Sequence, residues 1–346
     1  MKILIAAGGT GGHIYPGIAI AEELKERDPD NEILFIGSYE GLEGDLVKKE
    51  GFKIRLIHAR ALLRKLSYKA ISAPFMTMIG FFEALQVLFA FKPDMLVVTG
   101  GYVSFPVICA AIILRTPFIL HEQNVLPGLT NRLWHRFARA TTLSFEETLE
   151  YMEGTVTGNP VRKKILSAKR KKNNERTVAI IGGSQGAKSI NKTVVSHLHE
   201  LEDYKLFHII GKRDYETLTE FIEFTTYPHY HPIEYAHNIE EVLSQSDLVV
   251  SRAGATIISE IIALGLPSIL IPFPYSAEGH QDLNADVLAQ AGAAVVLSDK
   301  DIEKLPLEIR SLLEDENKLK MMGQAALKLM RRDAAKQIAD LIYDFS

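Results

Sequence analysis

The sequence predicts an α/β protein made of two doubly wound parallel sheets that face each other across a cleft. Three observations predict it. Apolar runs of β type alternate with helical patterns along the whole chain, each half opens with a strand, a glycine-rich turn and a helix, and 346 residues suit two domains of about 100–200 residues better than one.

In the first half the strand-like runs are KILIAA, EILFIG, DMLVVTG and FILHEQ; in the second they are TVAIIGG, KLFHIIG, DLVVSRAG, SILIPF and AAVVL. Their alternation with helical stretches argues for parallel sheets covered by helices on both faces. Between the halves, Gly154 to Thr177 carries a Gly-Asn-Pro turn and a run of cations that breaks the apolar rhythm, as a linker does. The expected division is residues 1–157, residues 158–330, and a C-terminal segment, residues 331–346, whose amphipathic helix returns to the first domain. Ligands of such sheets sit beyond the carboxyl ends of the strands, so two facing domains would bring both glycine loops to one cleft.

A hydrophobic share of 47%, a charged share of 24% and a net charge of -4 are those of an ordinary globular protein and give no footprint for nucleic acid. The basic cluster Lys169 to Lys172 is short, lacks interleaved aromatics and reads as a solvated loop. The lone Cys109 rules out a disulfide framework. The first apolar run stops at Gly8, too soon for a signal peptide, so it reads as a strand of a protein that stays in the cytoplasm.

Ala70 to Phe91 approaches the apolar length of a membrane span, but Pro74, Gly80 and Glu83 speak against insertion. Arg60, Arg64, Lys65 and Lys69 precede it. The segment reads either as a mostly buried helix or as a surface whose Phe75, Met76, Ile79 and Phe82 dip into lipid while cations meet anionic head groups.

Glycines between a strand and a helix let backbone N–H groups and the positive end of the helix dipole meet phosphate. Gly8 to Gly12 lacks the third glycine of a dinucleotide fingerprint, and the second strand ends with Gly37 and Ser38 where that site wants an acid. A nicotinamide enzyme is disfavoured. The second loop reads G-x-x-x-G-x-K-S from Gly182, which misplaces the lysine for an ATPase; a pyrophosphate held by N–H groups and the hydroxyl of Ser184 fits better.

No metal site is expected: Asp28-Pro-Asp30 falls in a helix-to-strand turn at the end of the sheet opposite the glycine loops, and the histidines of Tyr227 to His237 lack ligand spacing. His121, Glu122, Gln123 and Asn124 follow a buried strand, where ligand-facing residues are expected. In VVSRAGATIISE, the N–H groups of Ala255 and Thr256 suit phosphate and Glu260 suits the vicinal hydroxyls of a ribose. Gln281 and Asn284 could reach sugar hydroxyls.

Together GGTGGHIYPG, GGYVSFP, HEQN, GNPVR, GGSQGA and GATIISE resemble, in order and spacing and over nearly the whole chain, the MurG family of bacterial peptidoglycan glycosyltransferases. The resemblance implies two Rossmann-like domains in the GT-B arrangement and inverting, metal-independent transfer of N-acetylglucosamine from UDP-GlcNAc to the 4-hydroxyl of the muramyl sugar of lipid I, giving lipid II. It implies a donor site of Thr10, Gly11, Gly12, Asn124, Arg162, Ser184, Ala255, Thr256, Ile257, Ile258, Ser259, Glu260 and Gln281. By the same resemblance Ala236 aligns where many relatives carry an isoleucine beside the uracil, and His280 replaces a frequent glutamine. Tyr102, Ser104 and Glu122 are expected on the acceptor side. No cofactor is implied; the expected partners are the two substrates, an anionic membrane surface at its cytoplasmic face, where the enzyme would be peripheral, and other proteins of wall synthesis. A UDP-GlcNAc 2-epimerase or a non-catalytic nucleotide-sugar sensor would share the donor site.

A sugar hydroxyl is a poor nucleophile at neutral pH, and an imidazole is suited to take its proton during attack. His13, at the mouth of the first glycine loop, is the candidate base. The other role open to it is to bind a donor phosphate or orient the acceptor.

Overall fold

The computed structural model describes residues 1–60, 68–171, 174–183, 186–220, 222 and 225–346, and the side chains of 68–73 are not among those described. The chain divides into one unit formed by Met1–Lys163 with Arg331–Ser346 and a second formed by Lys164–Met330.

Among the described residues of the first unit the strands are β1 (Lys2–Ala7), β2 (Glu32–Ser38), β3 (Lys53–Ile57), β4 (Met95–Gly100), β5 (Phe118–Glu122), β6 (Ala140–Leu143) and β7 (Thr155–Val156). They lie in the order β3-β2-β1-β4-β5-β6-β7, and their pairings are parallel. The central strands β1, β4 and β5 are nearly continuous runs of buried residues, as a sheet covered on both faces requires. Helices α1 (Gly11–Arg27), α2 (Glu43–Lys49), α3 (Tyr68–Phe91) and α4 (Ser104–Leu114) follow the first four strands. In α1 the buried Ile14, Ile18, Ala21 and Leu24 recur at helical spacing, and Lys25 and Arg27 in the last turn complement the dipole.

The helix Ala334–Asp344 belongs to this unit. Arg27 Nη1 meets Asp340 Oδ1 at 2.6 Å, and Asn31 Nδ2 donates to Tyr343 Oη at 2.7 Å. Residues 158–163 also fall with the first unit rather than the second: the Arg162 guanidinium lies 3.9 Å from the centroid of the Tyr15 ring, and the Lys163 N–H donates to Glu22 Oε2 at 3.2 Å.

In the second unit β8 (Thr177–Ile181), β9 (Lys205–Ile209), β10 (Tyr230–Ile233), β11 (Leu248–Ser251), β12 (Ser268–Leu270) and β13 (Ala294–Val296) form, among the described residues, a sheet in the order β10-β9-β8-β11-β12-β13. Its pairings too are parallel. In each unit the first strand connects to one side of the sheet and the chain later returns to the other side, which creates a switch point between β1 and β4 and another between β8 and β11. Loops diverge there and leave a crevice beyond the strand ends. Both glycine motifs occupy these positions.

Candidate active site

In the first unit the loop after β1 packs against the loop after β4. A Cβ on Gly8 would stand 2.7 Å from Val103 Cγ2, and Gly9, at φ +92, lies against the Tyr102 ring. A carboxylate at the start of α2 fixes this loop. Glu43, fully buried at the start of α2, accepts from Gly9 N at 2.8 Å, Ser38 N at 3.2 Å and Ser38 Oγ at 3.3 Å. Ser38 Oγ in turn meets Tyr102 Oη at 2.9 Å, and burial raises the Tyr102 phenol above its ordinary pKa.

His13 lies in the first turn of α1, half-buried, behind Thr10 at the N-cap and Gly11 and Gly12. Its Nδ1 lies 2.9 Å from the Thr99 carbonyl oxygen at the end of β4 and 3.1 Å from Gln123 Oε1 beyond β5. Both neighbours are acceptors, so Nδ1 carries the proton and, in the neutral ring, Nε2 carries the lone pair. The Thr99 hydroxyl donates to the His13 carbonyl at 2.8 Å, tying the helix start to the same strand end. Gly100, at φ +105, makes room for the ring: a Cβ there would stand 2.7 Å from His13 Nδ1.

The HEQN quartet is mostly turned inward, contrary to its expected orientation. His121 is fully buried between Thr142 Oγ1 at 3.0 Å and Asn159 Oδ1 at 3.1 Å, and burial pushes its pKa down to about 4. Glu122 is also buried, and both its oxygens are taken up by its own loop, accepting from Asn124 N, Gly128 N and Asn131 Nδ2 at 2.8–2.9 Å, rather than facing an acceptor. Gln123 holds His13. Asn124 is the member left half-exposed. Ser104, placed on the acceptor side by sequence, is fully buried in the first turn of α4. Arg162 is almost fully buried in the first unit, stacked on Tyr15.

The second unit holds the other glycine loop. Gly183 and Gly186 both adopt φ +77, and a Cβ on Gly186 would stand 2.7 Å from the Ile210 carbonyl oxygen. Ser184 lies outside the described residues. Beneath the loop, Asn191 Nδ2 donates to Ile210 O at 2.9 Å and its Oδ1 accepts from His208 Nε2 at 3.0 Å.

After β11, Gly254 caps the helix Ala255–Leu264 in an extended conformation. Thr256 and Ile257 are half-exposed on its first turn; Ala255, Ile258, Ser259 and Glu260 are buried, and Ser259 Oγ bonds back to Ala255 O at 2.8 Å. Ala236 lies after β10 between Tyr235 and His237, whose rings meet edge to face with centroids 4.9 Å apart. Gln281 Oε1 accepts from Phe273 N at 2.9 Å, and the buried Asn284 donates to Ala253 O at 3.2 Å rather than facing outward.

Sequence reasoning did not single out Arg252. It donates to Ile271 O, Pro272 O, Asp299 Oδ1 and Ser189 Oγ at 2.7–3.2 Å, clamping the ends of neighbouring strands; partners so distant along the chain leave no local signal. Among the described residues no three His, Cys, Asp or Glu side chains converge as a metal site, and Asp28 and Asp30 form a turn in which Asp30 N donates to Asp28 Oδ1 at 3.0 Å.

Helix α3 is long and apolar enough to cross a membrane over Pro74–Phe91, yet only 17% of that window is buried. Its inner face is fixed by Glu83, which accepts from His58 N and Nδ1 at 2.6 and 2.7 Å, and by Gly80, whose lack of a side chain lets the helix pass against the His58 backbone. The outward stripe is therefore Phe75, Met78, Phe82 and Phe89. Met76, expected on it, is half-buried because it lies out of phase, and Ile79, at the edge of the stripe between Phe75 and Phe82, is half-buried as well. Arg60 pairs with Glu40, while Arg64, Lys65 and the Lys69 side chain lie outside what is described.

Two doubly wound units, each with a glycine loop at its switch point, are the fold of GT-B enzymes, and the family matches make this one a glycosyltransferase. Residues 3–143 match the glycosyltransferase family 28 N-terminal domain and residues 177–338 its C-terminal domain. The chain is 39% identical to a protein of Thermoanaerobacter sp. (strain X514), with 99% of each covered, and 40% identical to one of Moorella thermoacetica (strain ATCC 39073 / JCM 9320), covering 99% of this chain and 98% of the relative. Both carry the name UDP-N-acetylglucosamine–N-acetylmuramyl-(pentapeptide) pyrophosphoryl-undecaprenol N-acetylglucosamine transferase. The crystal structure of Acinetobacter baumannii MurG superposes with a TM-score of 0.77 at 26% identity, with 99% of each chain covered. A UDP-GlcNAc 2-epimerase from Neisseria meningitidis reaches 0.67 at 15% identity over 99% of this chain and 100% of that one, a likeness of fold alone. The chain belongs to the MurG family of glycosyltransferases.

Proposed function

We propose that this chain transfers N-acetylglucosamine from UDP-GlcNAc to the 4-hydroxyl of the muramyl sugar of lipid I, with inversion at the anomeric carbon, giving lipid II. The full-length identity to relatives named for this transfer supports the substrates. One observation carries the mechanism: the Nδ1–H of His13 is committed to the Thr99 carbonyl at the switch point of the first unit, which leaves Nε2 as the acceptor of a proton.

As the acceptor oxygen attacks the anomeric carbon, its proton passes to His13 Nε2. The bond to UDP breaks and UDP departs with the bonding pair, so the configuration inverts. General-base help of this kind contributes about 10²–10⁴-fold. The departing charge is met by backbone dipoles, chiefly the N-terminus of the helix Ala255–Leu264, a route that needs no divalent ion. In the second unit Thr256, Ile257 and Gln281 are assigned to the donor and Glu260 to its ribose hydroxyls; in the first, Thr10, Gly11, Gly12 and Asn124 are assigned to the donor and Tyr102 to the acceptor. The outward apolar stripe of α3 supports a peripheral position on the cytoplasmic membrane face, where a polyprenyl-linked sugar would be within reach.

The test follows labelled N-acetylglucosamine from UDP-GlcNAc to a lipid I analogue in detergent with chelator present. Labelled lipid product, and UDP release only when the acceptor is added, are expected. UDP release without acceptor, or an epimerised nucleotide sugar as product, would refute the reading.

A further inference from the structure

We infer that Gln123 is a positioning residue for His13, fixing which ring nitrogen carries the proton by means of a neutral amide. The inference rests on the reading of His13 as the base. Gln123 is 1% exposed, so its amide cannot exchange partners with water. Its Nε2 donates to the Thr99 carbonyl at 2.6 Å, and its Oε1 faces His13 Nδ1 at 3.1 Å. The two bonds orient each other. Rotating the amide by half a turn would set Oε1 against the Thr99 oxygen, two acceptors facing one another, so the Thr99 carbonyl locks the amide with its oxygen toward the imidazole.

That oxygen and the Thr99 oxygen together form a pair of acceptors around Nδ1. A ring protonated on Nε2 instead would turn a bare Nδ1 toward both, losing two hydrogen bonds and placing three lone pairs against one another. The Ser-His-Asp arrangement uses a buried carboxylate for the same purpose. Here an uncharged side chain does it, in a site where the neighbouring imidazole, His121, is itself buried and neutral above about pH 4. Gly100 completes the seat by admitting the ring.

The experiment compares the wild-type chain with Gln123→Met, which keeps the volume and removes both polar atoms, and with Gln123→Leu in case the first variant folds poorly. Long-range ¹⁵N–¹H correlation spectra of the histidine rings, with His13 identified by the signals missing in His13→Ala, report the tautomer. The transfer assay reports kcat and the KM for UDP-GlcNAc.

Wild-type His13 is expected in the Nδ1–H form. Either variant is expected to populate the Nε2–H form and to lose roughly 10–100-fold in kcat, the scale of a misplaced catalytic group, with KM for UDP-GlcNAc unchanged. Wild-type enzyme in the Nε2–H form, or a variant that keeps both the pure Nδ1–H form and a kcat within twofold, would overturn the assignment. A shifted tautomer with unchanged kcat would uphold Gln123 as the positioning residue and overturn His13 as the base.

Discussion

Glu43 Oε1 accepts the backbone N–H of Gly9 at 2.8 Å, fastening the start of α2 to the glycine loop that precedes His13. The carboxylate is fully buried and also takes Ser38 N, so its removal leaves two backbone donors without their acceptor. A buried donor left unpaired costs about 1–3 kcal/mol. Glu43→Ala should therefore lower the urea midpoint of the first unit, and Glu43→Gln, which keeps an acceptor oxygen, should lower it less. Equal midpoints for the wild type and Glu43→Ala would show that the bond does not stabilise the loop.

Gly100 and Gly51 separate backbone strain from steric conflict. Both have positive φ, +105 and +82, but a Cβ on Gly100 meets His13 Nδ1 at 2.7 Å whereas one on Gly51 meets nothing within 4 Å. Gly51→Ala should cost stability alone, about 1–2 kcal/mol for a left-handed alanine, at undiminished kcat. Gly100→Ala should also displace the imidazole and reduce kcat by roughly 100-fold. Comparable kcat values for the two variants would contradict the seating of His13.

Acid should destabilise both units through buried histidines. Burial lowers the pKa of His121 from 6.5 to about 4 and that of His208 from 6.5 to about 3. Unfolded, each ring protonates near pH 6.5, so below that pH the unfolded chain binds more protons than the folded one. Their stabilisation is full above pH 6.5 and is lost as pH falls toward about 4 and about 3 respectively. For His121 the loss is on the order of 3 kcal/mol. His121→Gln should flatten the fall in unfolding free energy between pH 6.5 and pH 4; an unchanged slope would mean that another group carries it.

Phe75, Met78, Phe82 and Phe89 share the outward face of α3. Phe75→Ser with Phe82→Ser should abolish co-sedimentation with anionic vesicles while leaving turnover of a detergent-solubilised acceptor intact. Met76→Ser, on the half-buried flank, should cost stability more than vesicle binding. Retention of the double variant on vesicles would remove α3 from the membrane contact.

The central strands of both sheets and the location of both glycine loops were legible in the sequence because strand–loop–helix units announce themselves locally; the short, less apolar β3, β6, β7 and β10 toward the sheet margins were not. What was not legible depended on partners far apart in the chain. Glu43 reads as an ordinary first-turn acid until Gly9, 34 residues earlier, is found beside it. His121, Glu122 and Gln123 form a polar run after a strand, a pattern that does not say which side chains turn inward. The helical period of α3 was visible, but its phase was not: the bond from His58 to Glu83 and the close pass at Gly80 set it, and moved the exposed stripe away from Met76, leaving Ile79 at its edge.

The most direct measurement is the kcat of His13→Ala in the lipid I transfer assay, taken together with calorimetric titration of UDP-GlcNAc. A base whose Nδ1–H is committed to Thr99 O predicts a kcat lowered by at least about 100-fold with donor affinity preserved. Turnover within threefold of wild type would contradict the account.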